Sequence, residues 1–204
     1  MSEVSAAQVR ALRDQTGAGM MDCKRALAES AGDLGKAVVY LREKGLAAAA
    51  KRSARAASQG LVGSYIHVGG KVGVLIEVNC ETDFVARTPE FQTLVKDLAM
   101  QVAAASPRWV QREQIPADTI EAEREIYRAQ AGGSGKPPAV IEKIVDGKLV
   151  KFFADTCLLE QAFIRDPQGT VGQLVTDSVA KIGENIVVRR FARFQLGELT
   201  ETAA

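Results

Sequence analysis

Apolar positions in the first part of the chain recur at the helical period. Ser5 and Gln8 have the spacing of a capping box, Val9 and Leu12 share a face, and Gly17 stands where a helix-ending glycine belongs. Met20, Cys23, Ala26 and Leu27 draw a second stripe, closed by Gly32. Asp33 then caps a third helix, with Leu34, Ala37, Val38 and Leu41 at i, i+3, i+4 and i+7, and Gly45 is expected to stop it. Three short helices bury only a small core, so residues 1–45 predict a compact module. Residues 46–59 are rich in alanine and carry Lys51, Arg52 and Arg55. They predict a connector helix lying partly in solvent, its basic residues solvating it rather than binding RNA.

From Gly60 the pattern changes from helical to alternating. Leu61 to Val68 and Lys71 to Cys80 flank Gly69-Gly70, a pair suited to a two-residue hairpin turn. The second of these strands runs into a polar corner, EVNCETDFVA, Glu77 to Ala86. There Phe84 either begins the buried face of the next helix or is an aromatic ring held outside the core. Thr88 caps and Pro89 opens a helix whose Phe91, Leu94, Val95, Leu98, Ala99 and Val102 all fit the period, and this helix must pack on the hairpin.

Pro107 and Pro116 bracket an extended piece with Trp109 and Val110, and Asp118 with Glu121 is expected to cap a helix reaching about Ala131. Gly132 to Pro138, GGSGKPP, is a break. It lacks the first glycine of a phosphate loop and has Pro137 where a magnesium-binding hydroxyl is needed, so it is expected to be a flexible turn. Pro138 to Asp155 predicts an amphipathic helix that Gly147 bends or divides. Thr170 and Gln173 box another, its stripe running from Val171 through Leu174, Val175, Ser178 and Val179 to Ile182 and ending at Gly183. Asn185 to Leu196 is a closing strand. The order predicts an α+β fold for residues 60–197, a small antiparallel sheet covered by helices on one face, with residues 198–204 a disordered tail.

The chain has 204 residues, enough for a small module and one larger domain, and its 26 basic and 25 acidic residues nearly cancel. That balance gives no sign of nucleic-acid or membrane binding through bulk charge, and favours a discrete protein partner. Cys23, Cys80 and Cys157 lie too far apart for a zinc or redox motif, and an odd number fits a reducing compartment. With no signal segment at the N-terminus and no run of ~18 apolar residues, a cytoplasmic protein is expected.

Three segments, GAGMMDCKRAL (Gly17 to Leu27), EVNCETDFVA (Glu77 to Ala86) and KIGENIVVRR (Lys181 to Arg190), resemble in the right order the hallmarks of translation elongation factor Ts. The resemblance runs from about Ser5 to Leu196 and is to the short, single-core bacterial type. That family comprises the guanine-nucleotide exchange factors of elongation factor Tu. It implies a ubiquitin-associated-like fold for residues 1–45, and a fold of that kind says nothing about ubiquitin. It implies further that the TDFV element, here Thr82, Asp83, Phe84 and Val85, intrudes into the partner's nucleotide domain and dislodges magnesium. Arg13, Met20, Met21 and Lys24 would make a second contact. His67, Ile182 and Gly183 also fall on family contact positions, although a contact made by one half-core of the long forms would come here from a second copy. The chain has room for one half-core only, which implies a homodimer. The partner would be met both GDP-bound and nucleotide-free, with no cofactor of the chain's own.

Three features bear on these assignments from the residues alone. Adjacent helical positions point about 100° apart, so at least one of Met20 and Met21 is expected in the core. Glu77, Glu81 and Asp83 form a local acidic cluster that a polar corner explains without chemistry. The single histidine, His67, has no second histidine to share a nucleophile with, so turnover of a small molecule is not expected. A ribosome-associated or nascent-chain binding protein is the alternative, and an enzyme with an unrecognised site is a third.

Overall fold

The computed structural model describes residues 4–133 and 137–198. The centre of the GGSGKPP stretch and residues 199–204 of the expected tail lie outside the described residues. Within them the chain forms two compact units. The first runs to Leu61 and takes in Val78–Leu94 and Leu174–Val187, and the second comprises Val62–Glu77, Val95–Gln173 and the residues from Val188.

In the first unit, α1 (Ala6–Thr16) begins with the expected capping box and ends at Gly17 in the left-handed conformation. Next come α2 (Met20–Glu29) and α3 (Leu34–Arg52), the latter capped by Asp33, whose carboxylate accepts from the Lys36 N–H at 3.0 Å. Val9, Leu12, Cys23, Ala26, Leu27 and Ala37 form its buried cluster, with Val38, Tyr40 and Leu41 against it. Leu34 and Met20 do not join. Each is the first residue of its helix and stays exposed, one end of an apolar stripe that outruns the packed face. Gly45 does not stop α3. The helix runs unbroken to Arg52, because the alanine-rich stretch continues it and glycine in a helix interior costs only ~1 kcal/mol.

β1 (Gln59–Ile66), β2 (Val72–Cys80) and β5 (Val187–Gln195), most of whose residues belong to the second unit, form an antiparallel sheet in the order β1-β2-β5. The hairpin turn is longer than the sequence suggests. The His67 N–H donates to the Val72 carbonyl at 2.9 Å, so residues 68 to 71 all cross between the strands. Gly69 and Gly70 take φ of 92° and 70° within that loop. α5 (Pro89–Ala105), whose first turns belong to the first unit, buries every apolar position expected of it.

α6 (Ala117–Gly132) starts one residue before Asp118, which sits inside its first turn instead of capping it. α7 (Pro138–Thr156) runs straight through Gly147, and an ion-pair network of Arg124 and Arg128 with Glu121, Glu142 and Asp146 joins the two helices. A short hairpin of β3 (Ala162–Phe163) and β4 (Asp166–Thr170) precedes α8 (Val171–Ile182) and has no counterpart in the sequence pattern, being too short and polar to alternate. Buried Gln101 fixes it to α5. The Gln101 side-chain amide donates to Gln161 Oε1 and the Ala162 carbonyl, and Gln101 Oε1 accepts from the Ile164 N–H. No described helix is long and apolar enough to cross a membrane.

Candidate functional site

At the end of β2, Cys80 is buried, and its thiol donates to the Thr82 carbonyl at 3.2 Å. Burial pushes that thiol above its ordinary range, helped by the neighbouring Glu184. Thr82 is extended, with φ −127° and ψ 149°, and its hydroxyl oxygen accepts from the Val85 N–H at 3.3 Å. It thereby caps a single helical turn, α4 (Asp83–Ala86), on a stretch expected only to be a corner. Val85 and Ala86 face inward and are buried. Phe84, a third of a turn away, faces outward and keeps 79% of its surface in solvent. Of the two readings of this ring, the buried one is excluded.

The corner is held from the far end of the sequence. The Glu81 and Thr82 N–H groups donate to Glu184 Oε2 at 3.1 and 3.0 Å, and the Thr82 hydroxyl donates to Glu184 Oε1 at 2.6 Å. In return, the Asn185 N–H donates to Glu81 Oε1 at 2.7 Å. Buried Asn185 also donates its side-chain amide to the carbonyls of Ser53 and Arg55, at 3.4 and 2.8 Å, just beyond α3. Two of the three segments that carried the resemblance, far apart in sequence, therefore exchange hydrogen bonds.

The acidic cluster is not a set of paired carboxylates. Asp83 pairs with Arg87, Glu81 with Arg55 and the Asn185 backbone, and Glu77 with Arg190 at 2.7 Å. Among the described residues no three His, Cys, Asp or Glu side chains gather as a metal would require.

Arg13, Met20, Met21 and Lys24 are all exposed, on the last turn of α1 and the first turns of α2, either side of the Gly17–Gly19 link. Both methionines lie outside the core, at 55% and 68% exposure, so the expectation that one is buried fails. The reason is local: Met20 opens α2, and the inward positions there belong to Cys23, Ala26 and Leu27. His67 is exposed in the hairpin loop, its Nδ1 3.0 Å from the Tyr65 hydroxyl. Ile182 lines a shallow cavity of about 280 Å³ with Pro89, Glu90, Thr93, Ser178 and Lys181, and Gly183 follows it at the end of α8. Sequence reasoning missed Glu184 and Asn185. The only signal near them was the helix-ending Gly183, which says nothing about a partner a hundred residues away.

The sequence model of a family described as Elongation factor TS matches residues 31–198. The chain belongs to the elongation factor Ts family. It is 62% identical over 198 residues to elongation factor Ts of Anaeromyxobacter dehalogenans, covering 97% of this chain and 90% of that one. Against elongation factor Ts of Geobacter sulfurreducens it is 61% identical over 195 residues, covering 96% and 90%. With the Heliobacterium modesticaldum protein of the same name the identity is 60% over 195 residues, covering 96% and 91%. As a member of this family the chain is an elongation factor of protein biosynthesis.

Proposed function

We propose that the chain is a guanine-nucleotide exchange factor for elongation factor Tu, and that the Thr82–Val85 corner dislodges magnesium from the GDP complex so that GDP leaves and GTP enters. The observation that carries this reading is the exposed ring of Phe84 on a one-turn helix whose neighbours are buried and hydrogen-bonded. A GTPase holds its nucleotide through a phosphate loop and a magnesium ion, so release requires weakening contacts and no bond is broken. A factor that binds the empty partner more tightly than the GDP-bound one must loosen GDP by the same factor. Each tenfold of loosening needs ~1.4 kcal/mol of differential contact. A rigid aromatic anchor supplies such contact with little ordering cost.

Arg13, Met20, Met21 and Lys24 make the second grip in this reading, two flexible thioethers between two cations suiting an adaptable contact. Residues 1–45 act as the docking module and residues 60–197 as the exchange core, with His67, Ile182 and Gly183 as further contacts. We also propose that the working form is a homodimer in the cytoplasm. Supporting this, one face of the sheet in the second unit leaves Val62, Ile66, Leu75 and Phe194 exposed, an apolar surface larger than single scattered side chains make.

The experiment is release of fluorescent GDP from purified elongation factor Tu. Substoichiometric amounts of the chain should accelerate it over many turnovers, and no acceleration at any concentration would refute the reading. For the dimer, Phe194→Asp should convert a dimer seen by light scattering into a monomer. A wild-type monomer at working concentration would exclude that part.

A further inference from the structure

α4 is one turn long, and a single turn fixes several backbone dihedrals for little hydrogen bonding, so it does not hold its own direction. What holds Thr82 therefore decides where Phe84 points. The residue that does so lies about a hundred positions further along the chain, two residues past the end of α8.

We propose that Glu184 is a positioning residue for nucleotide exchange: its carboxylate takes three hydrogen bonds from Glu81 and Thr82 and so sets the direction in which Phe84 leaves the molecule. This rests on the exchange reading above and adds to it a residue that acts through Thr82. Oε2 gathers two successive backbone N–H groups at the exit from β2, which fixes the peptide entering the corner. Oε1 accepts from the Thr82 hydroxyl, leaving the hydroxyl oxygen to accept from the Val85 N–H, so one carboxylate also fixes the rotamer of the cap. Hydrogen bonds to an ionised acceptor are roughly twice as strong as neutral ones, and a neutral amide in its place has one oxygen for three donors. The Asn185 N–H on Glu81 Oε1 is the return strap, which keeps α8's end from drifting when Glu184 alone is changed.

The test is a double-mutant cycle of Glu184→Gln and Phe84→Ala in the full chain, reading the maximal GDP-release rate and the half-saturating concentration separately. Glu184→Gln should lower the maximal rate by about tenfold or more, as misplacing a group by an ångström does. It should leave the half-saturating concentration and the melting transition near wild type. In the Phe84→Ala background it should add less than about twofold, because a residue acting only through the ring has nothing left to act on. Amide hydrogen exchange at Thr82 should quicken in Glu184→Gln while amides of β2 keep their protection. An unchanged rate in Glu184→Gln, or a loss that adds in full to that of Phe84→Ala, overturns the positioning role alone. Full exchange in Phe84→Ala overturns the reading beneath it and the positioning role together. Should Glu184→Gln fail to fold, Glu184→Asp carries the same cycle. Retaining the charge on a shorter arm, it should fall between wild type and Phe84→Ala in maximal rate, and a wild-type rate would again overturn the role.

Discussion

Replacing Phe84 by alanine separates a folding role from a contact role, because the structure makes the two costs unequal. A phenylalanine buries 150–250 Å² when enclosed, and with 79% of Phe84 exposed about a fifth of that, roughly 40 Å², is removed from water. At ~25 cal/mol per Å² the truncation costs the fold about 1 kcal/mol, partly offset by the better helix propensity of alanine. For a chain of this length that moves the melting temperature by about 2–4 °C. Truncating a central aromatic anchor, by contrast, should cost the complex with the nucleotide-free partner about 2 kcal/mol or more, roughly a thirtyfold loss of affinity for that state. Stopped-flow release of fluorescent GDP, titrated with the variant and run beside a thermal melt, reads both. The expected result is a melt within a few degrees of wild type and exchange reduced by more than an order of magnitude. A variant that melts far lower while exchanging normally per folded molecule would show that the ring serves this chain's own packing, and would refute the contact role.

Gly63 in β1 sits where an added Cβ would come 2.3 Å from Val95 Cγ1, and buried, β-branched Val95 has no free rotamer to offer. Gly63→Ala should therefore cost about 1–3 kcal/mol in urea unfolding, with Val95→Ala in the same chain recovering part of it. Changing Met20 and Met21 together to alanine should raise the half-saturating concentration in GDP release and leave stability within about 0.5 kcal/mol, since both are exposed. The Cys80 and Cys157 thiols are both raised above their ordinary range, first by burial, so the folded chain holds these protons longer than the unfolded one does. Their contribution is complete at neutral pH and is lost as pH climbs from the ordinary thiol value through the folded one. Urea midpoints should accordingly fall on the alkaline side, less steeply in Cys80→Ala, and alkylation of the native protein near neutral pH should be slow.

Much of the fold is legible because the local signals agree with one another. The Ser5–Gln8 box, the Asp33 cap and the Thr88-Pro89 start each place a helix end correctly, and the six apolar positions of α5 are buried without exception. The errors arise where a weak local signal met a stronger context. Gly45 reads as a stop, but alanine on its C-terminal side continues the helix. Gly69-Gly70 reads as a two-residue turn, but the strands close only at His67 and Val72. The hairpin of β3 and β4 is held by Gln101, buried in a helix, and nothing near residues 162–170 announces that.

At the site, the residue types were legible and the mechanics were not. Phe84 stood out as a large apolar residue in a polar corner just beyond a strand, but the residues alone left it as fit for the next helix's buried face as for an exposed ring, and only the resemblance favoured the second. Whether it faced in or out depended on how Thr82 caps α4, and Thr82 is held by a carboxylate more than a hundred residues away. Hydrogen bonds between distant segments leave no periodic trace, since Glu184 in isolation is one more charged residue after a helix. Yet in the proposal above the ring's direction follows from it. Thr82 fixed at both its N–H and its hydroxyl starts α4 in one orientation, in which Val85 and Ala86 take the inward positions and Phe84 is left outside. An anchor fixed in this way before it meets a partner has little conformational freedom left to lose on binding, which is how a turn of only four residues would serve as the wedge proposed above.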